Sequence, residues 1–231
     1  MKIYYKLFIF ILLSTLIVSN IYSEESNFSF DICSGPFLPD MTTNTLKNPT
    51  QNSYFTYEDF YGETGTYNNL LHLDYFLINH YGVLAFGIET GYIYDKGHAL
   101  IKEANGNYSS SGEALYLQII PANIVLKYNF DYFNNQVIVP YIEVGGSYWA
   151  FKEESQSGNK IEGAKKGYFY GGGLKLLLDP FDPSSAANLS IDYGISHTYI
   201  FIGYRFYKIN YKGSGFDFSQ NNWLAGFSFS F

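Results

Sequence analysis

Asn222-Trp223-Leu224-Ala225-Gly226-Phe227-Ser228-Phe229-Ser230-Phe231 is the stretch that decides the fold. Trp223, Ala225, Phe227, Phe229 and Phe231 fall on one side, and Leu224, Gly226, Ser228 and Ser230 on the other. Only an extended strand sorts alternate residues onto opposite faces in this way. One face is broad and aromatic and the other small. That combination suits a wall with lipid on one side and a crowded interior on the other.

The alternation recurs upstream. Thr198, Ile200, Ile202, Tyr204 and Phe206 oppose Tyr199, Phe201, Gly203 and Arg205. Tyr168, Tyr170, Gly172, Leu174, Leu176 and Leu178 oppose Phe169, Gly171, Gly173 and Lys175, and Ile138, Ile142, Val144, Tyr148 and Ala150 oppose Tyr141, Glu143, Gly145 and Ser147. Leu84, Phe86, Ile88, Tyr92 and Tyr94 oppose Ala85, Gly87, Glu89 and Gly91. Charges and most glycines share a face. That face is the lumen, because a charge aimed at the bilayer midplane costs about 2–4 kcal/mol and a narrow barrel crowds inward. Glu89, Glu143, Lys175 and Arg205 are thus expected as a lumen charge cluster, two signs against two, pairing to avoid the cost of buried unpaired ions. Further strands are Phe28 to Ile32, ending at Ser34-Gly35-Pro36; Leu70 to Ile78; and Leu115 to Phe130, where Pro121 predicts a bulge that shifts the alternation. The expected fold is all-β: a transmembrane antiparallel up-and-down β-barrel of about eight strands, the even number that returns both ends to one side.

The amino-terminal end reads as a secretory signal. Lys2 and Lys6 precede the apolar run Leu7 to Val18, too short for a membrane helix of roughly 20 residues, and a cleavage site falls after Ser23. Residues 1–23 are therefore expected as signal peptide and 24–231 as barrel. Tyr and Phe number 24 and 21, and charged residues make up only 15%, against about 25% in soluble domains. No stretch beyond the signal is continuously apolar enough for a helical span. The net charge of −7 argues against a nucleic-acid surface. Cys33 is the only cysteine, and it is expected as a buried or lipid-facing thiol without chemistry.

Connections alternate long and short. Met41 to Thr66, Asp95 to Gly112, Lys152 to Lys165 and Lys208 to Gln220 are expected as outer loops, with Asn79 to Gly82 and Asp131 to Gln136 as periplasmic turns. Asp179 to His197 is too long for a turn, and its composition predicts a short helix capped by Asp182 or Ser184.

The last strand resembles the terminal strand of outer-membrane β-barrels, whose assembly machinery reads a closing aromatic residue. That resemblance implies an assembly signal at Phe227, Phe229 and Phe231. Ser34-Gly35-Pro36-Phe37-Leu38-Pro39-Asp40, Pro140-Tyr141, Leu176-Leu177-Leu178-Asp179-Pro180-Phe181-Asp182-Pro183-Ser184-Ser185-Ala186 and Gly194-Ile195-Ser196-His197-Thr198-Tyr199-Ile200-Phe201 together resemble a family of small outer-membrane barrels first grouped from myxobacteria. The family is similar in architecture to the OmpX and OmpW barrels. It implies a place in the bacterial outer membrane, with membrane lipid, lipopolysaccharide and the barrel-assembly machinery as partners, and it carries over no catalytic residues.

The chemistry expected is sparse: not an enzyme, no catalytic residue, no cofactor and no metal site. Ser196-His197 lies at the periplasmic rim and reads as a fastening for the long link. His72, His80, His98 and His197 show no metal-ligand spacing. Lys152, Lys160, Lys165 and Lys166 can meet lipopolysaccharide phosphates as point charges, but Glu153, Glu154 and Glu162 nearly cancel them, which favours a solvated loop. Gly171-Gly172-Gly173 lies inside a strand and relieves crowding. The function expected is structural or surface-interacting, with a lumen plugged by Tyr141, Phe169, Tyr199 and Phe201. The alternatives are a narrow OmpW-like conduit for small or apolar molecules and a soluble lipocalin-like secreted binder.

Replacing Phe231 by Asp is expected to block insertion rather than loosen the inserted barrel. Cell fractionation checks this, and normal outer-membrane levels of the variant would sink the reading of the last strand.

Overall fold

In the computed structural model the described residues are 27–39, 42–48, 53–62, 65–79, 81–104, 107–133, 136–209 and 217–231. The segment read as a signal peptide, His80 and parts of the first and last outer loops lie outside them. Eight strands close into one ring: β1 (Phe28–Phe37), β4 (Thr66–Ile78), β5 (Val83–Lys102), β6 (Tyr108–Asn129), β7 (Ile138–Ser155), β8 (Lys160–Leu177), β9 (His197–Lys208) and β10 (Gln220–Ser230). Each pairs antiparallel with its chain neighbour, and β1 closes the ring against β10 through Ser29–Ser230 to Ser34–Ala225. Closure leaves no free edge within the ring, the condition for a sheet to sit in hydrocarbon, where unpaired backbone groups are costly. The first outer segment carries a separate hairpin, β2 (Thr42–Asn48) and β3 (Ser53–Thr56), and a short helix α1 (Tyr57–Tyr61). No described helix is long and apolar enough to cross a membrane.

The alternation read from the sequence is the inside–outside pattern of the wall. Ile124, Ile142 and Val144 are 58, 55 and 53% exposed on the outside. Their inward neighbours Val125 and Glu143 are buried. Tyr67, Tyr92, Tyr148, Tyr168 and Trp223 add an exposed aromatic set, as suits residues with an apolar body and a polar tip at a membrane interface.

Three local expectations are corrected. Pro121 does not shift the alternation, because odd-numbered residues from Leu115 to Lys127 all stay buried and β6 pairs with β7 in unbroken register through Pro121–Trp149. The missing N–H instead leaves a gap on the β5 side, between the pairs Thr90–Ala122 and Ile93–Ile119. The register shifts fall between Phe76 and Ile78 and between His98 and Leu100. Strand β1 runs past Ser34 to Phe37; Pro36 is accommodated because pairing to β10 stops at Ser34 while pairing to β4 continues. Finally, two of the outer loops are mostly strand: β5 and β6 reach Lys102 and Tyr108, and β7 and β8 reach Ser155 and Lys160. Beyond the apolar band of the wall both faces of a hairpin can meet water, so apolar alternation fades while the hydrogen-bonded ladder goes on.

At the end of the ring where β1 begins and β10 finishes, a 3-10 turn (Asp179–Phe181) leads into helix α2 (Pro183–Tyr193). Asp182 caps it, accepting hydrogen bonds from the Ser185 hydroxyl and amide at 2.7 and 3.1 Å, and Gly194 ends it with φ 70°. The Ser185 hydroxyl, with the Ser185 amide and the Ser184 hydroxyl, holds the Asp182 carboxyl below the usual carboxylate range. Asp179 ties the link back to the wall, accepting from Thr198 N at 3.0 Å and pairing with His197 Nδ1 at 2.8 Å. Ser196 Oγ donates to the Ser230 carbonyl at 3.0 Å.

Adjacent glycines on β7 separate crowding from its absence. A side chain at Gly145 would collide with the Phe169 ring and the Ile124 carbonyl, whereas at Gly146 the nearest atom is an Ile124 methylene at 3.4 Å. Gly145→Ala is expected to cost about 1–3 kcal/mol, and Gly146→Ala close to nothing. The temperature at which the folded band disappears on a detergent gel reads both.

Candidate lumen charge network

Every strand of the ring places at least one polar side chain in the lumen, and these side chains meet in two centres and one outlier. The upper centre forms around Arg205 of β9, which is 3% exposed. Its Nε and Nη2 donate to Glu143 Oε1 and Oε2 of β7 at 2.5 and 2.9 Å, while Nη1 donates to Glu89 Oε1 and Oε2 of β5 at 2.9 and 2.8 Å. Nη1 also donates to the Tyr207 hydroxyl at 2.8 Å, and the guanidinium lies 4.8 Å from the Phe169 ring centroid. A planar fork that cannot lose its charge is suited to holding two carboxylates at once. Asn123 of β6 completes the centre, donating to Glu89 Oε1 at 2.7 Å and accepting from the Trp149 indole at 3.3 Å.

The lower centre forms around Lys127 of β6. Its ammonium donates to Asp31 Oδ2 of β1 at 2.8 Å and Asp74 Oδ2 of β4 at 2.7 Å. It also lies 3.3 Å from His72 Nδ1. His72 Nε2 is 2.8 Å from Asp74 Oδ1, close enough for an ion pair yet off the hydrogen-bonding direction. His72 Nδ1 stands 3.8 Å from Glu89 Oε2, which links the two centres.

Of the residues the sequence put forward, the structure brings Glu89, Glu143 and Arg205 together. Lys175 stands apart from them. Gly171, not Lys175, is paired across from Arg205, and the lysine lies two inward positions nearer the end of the ring that carries α2. There it donates to Ser228 Oγ at 3.0 Å and lies 5.7 Å from the Tyr199 ring centroid. Asp31, His72, Asp74 and Lys127 were missed. The expected balance of two against two becomes, among the described residues buried in the lumen, the four carboxyl groups of Asp31, Asp74, Glu89 and Glu143 beside Lys127, Lys175, Arg205 and the imidazole of His72.

Asp31, His72 and Asp74 each offer a ligand atom within 4.8 Å of one another, the spacing of a metal site. The Lys127 ammonium already bridges both aspartates where a cation would lie. The donor set is thus that of an ion-pair cluster rather than of a metal centre.

Above the charges the lumen is aromatic. Phe37, Trp149, Phe169, Tyr207 and Phe218 are buried together, with Trp149 and Tyr207 centroids 5.4 Å apart. Helix α1 sits over this cluster: Tyr57 donates its hydroxyl to Asp95, and Tyr61 donates to Glu153 Oε2 at 2.5 Å. Burial pushes the Glu153 carboxyl up. Below, Tyr141 and Phe201 meet edge to face at 6.3 Å, and Val139, Leu177 and Tyr199 form a separate buried group beside the periplasmic opening.

No family profile and no curated protein matches the chain. Among solved structures it is similar to Neisserial surface protein A (15% identity over 89% of this chain and 98% of that one, TM-score 0.48). It is likewise similar to the outer-membrane protein OprG from Pseudomonas aeruginosa (13% identity, 89% and 96%, TM-score 0.49). Ail, the attachment invasion locus protein of Yersinia pestis, is a further neighbour (12% identity, 89% and 97%, TM-score 0.41).

Truncating one member of a buried ion pair strands its partner, at about 3–5 kcal/mol. Arg205→Ala and Lys127→Met are each expected to lower the temperature of the folded band accordingly. Combining Arg205→Ala with Glu143→Gln is expected to cost less than the two separately. Strict additivity would mean that the two charges are not coupled.

Proposed function

We propose that the chain is an integral β-barrel of the bacterial outer membrane, with a largely plugged lumen and a structural or surface-interaction role rather than a catalytic one. The observation that carries this reading is the inversion of polarity across the wall. Apolar side chains such as Ile124, Ile142 and Leu174 are half exposed on the outside, while Asp31, Asp74, Glu89, Lys127, Glu143 and Arg205 are buried inside. A soluble lipocalin-like binder needs a polar exterior, and this wall would be insoluble without a bilayer around it.

Residues 1–23 act in this reading as the export signal, and Phe227, Phe229 and Phe231 as the segment offered to the assembly machinery. The outward set of the last strand fits that role, with Phe227 half exposed toward lipid and the Phe231 amide donating to Phe28 O at 2.8 Å across the closing seam. The four resembling blocks quoted above support kinship with the small barrels first grouped from myxobacteria. Ser196 and His197, each engaged with a neighbour of the periplasmic link, support a fastening rather than a reacting role.

The lumen argues against the conduit. Arg205, bonded to β5 and β7 from β9, bars the middle of the passage, and Trp149 with its aromatic neighbours bars the outer third. Purified protein is expected to migrate faster unboiled than boiled and to give no steady unitary current in a planar bilayer. A single migration position would overturn the closed barrel; steady conductance would overturn the plug.

A further inference from the structure

The outer wall is not evenly convex. A groove of about 780 Å³ crosses it from β1 to β8, and a second furrow of about 410 Å³ joins the first at Ile124 and Gly146. The hollow arises where Thr90, Ala122 and Gly146 put little bulk on the lipid side, beside the larger Ile124 and Tyr148. Packing does not account for the glycine. At Gly145, next in the chain, a side chain has no room, but at Gly146 a methyl group would meet only Ile124, at ordinary contact distance.

One end of the groove carries a charge. Thr90, Ala122, Tyr148 and Lys166 stand in one paired row across β5, β6, β7 and β8. Lys166, which the sequence placed at the edge of a loop, is therefore a wall residue, exposed at the outer end of the row. Lys152, Lys160 and Lys208 are each within ion-pair distance of a carboxylate, of Glu154, Glu162 and Asp217 in turn. Among the described residues Lys166 has no such partner. An uncompensated ammonium on a long apolar stem, beside a concave apolar surface facing the outer leaflet, offers what an acylated phosphate lacks in plain bilayer.

We propose that this forked groove is a seat for one molecule of lipid A, the phosphorylated, multiply acylated glycolipid of the outer leaflet. Its acyl chains would lie in the two furrows and a phosphate on Lys166. The inference rests on the outer-membrane reading above. The fork selects a lipid with several chains, and the position of Lys166, on the arm that rises into the outer hairpin of β7 and β8, selects a headgroup on the outer side. No other described lysine touches the groove.

The test uses the full folded barrel in detergent micelles, titrated separately with lipid A and with phosphatidylethanolamine. Retained lipid is counted by native mass spectrometry. One lipid A per barrel is expected, held about tenfold more tightly than the phospholipid. Gly146→Leu, which fills the fork, and Lys166→Gln are each expected to weaken retention about tenfold, with Lys160→Gln as an unchanged control. Should Gly146→Leu fail to fold, Ala122→Leu fills the same groove. Equal retention of both lipids, or groove variants that retain lipid A like the parent, would overturn the proposal. Outer-membrane fractionation of the parent is read alongside: absence from that fraction defeats the membrane reading itself, whereas a barrel in the membrane that retains no lipid A defeats only the seat.

Discussion

In the outer-membrane reading, hydrocarbon outside the wall is the constraint from which the rest follows. A backbone N–H or C=O without a partner costs several kcal/mol there, so the sheet must close on itself. Once it closes, alternate side chains have only two destinations. Apolar groups that face outward meet lipid, while the charges at mid-wall go, beside the aromatic plug, into a lumen too narrow for bulk water to solvate them. The ions then have to satisfy one another, and Arg205 with Glu89 and Glu143, or Lys127 with Asp31 and Asp74, are that consequence in atomic form.

Much of this was legible because one periodicity governs the whole wall. The parity that set Ile202 and Tyr204 outward set Arg205 inward, and all eight strands were located by the same rule. The lower charge centre was equally legible and went unread. With Leu71, Leu73 and Tyr75 outward, His72 and Asp74 must face in; with Ile124, Leu126 and Tyr128 outward, so must Lys127; with Phe30 and Ile32 outward, so must Asp31. The alternation marks the apolar face of each strand but not where the residues between it meet. Their meeting is set by register and strand tilt, which no single strand encodes.

Other features were illegible for a physical reason. Where the hairpins of β5–β6 and β7–β8 extend past the apolar band, pairing persists without a hydrophobic pattern to announce it. Pro121 signals a lost donor, but whether the sheet answers with a bulge or with an unpaired step depends on the neighbouring strand. The shallow groove around Gly146 is a property of six strands side by side, and no stretch of sequence carries it alone.

The separation along the chain of the lumen partners bears on how the barrel comes to be made. Asp31 and Lys127 lie 96 residues apart, and Glu89 and Arg205 lie 116 apart. Contacts so distant in sequence reward the chain only after a large loop-closure entropy has been met. An open sheet would pair Lys127 with Glu143 on the neighbouring strand but would hold Asp31 away from Lys127 and Glu89 away from Arg205, partners that meet only across the lumen. Curling of the sheet and pairing of these charges across the lumen therefore go together, and the network acts as a latch between strands far apart in the chain.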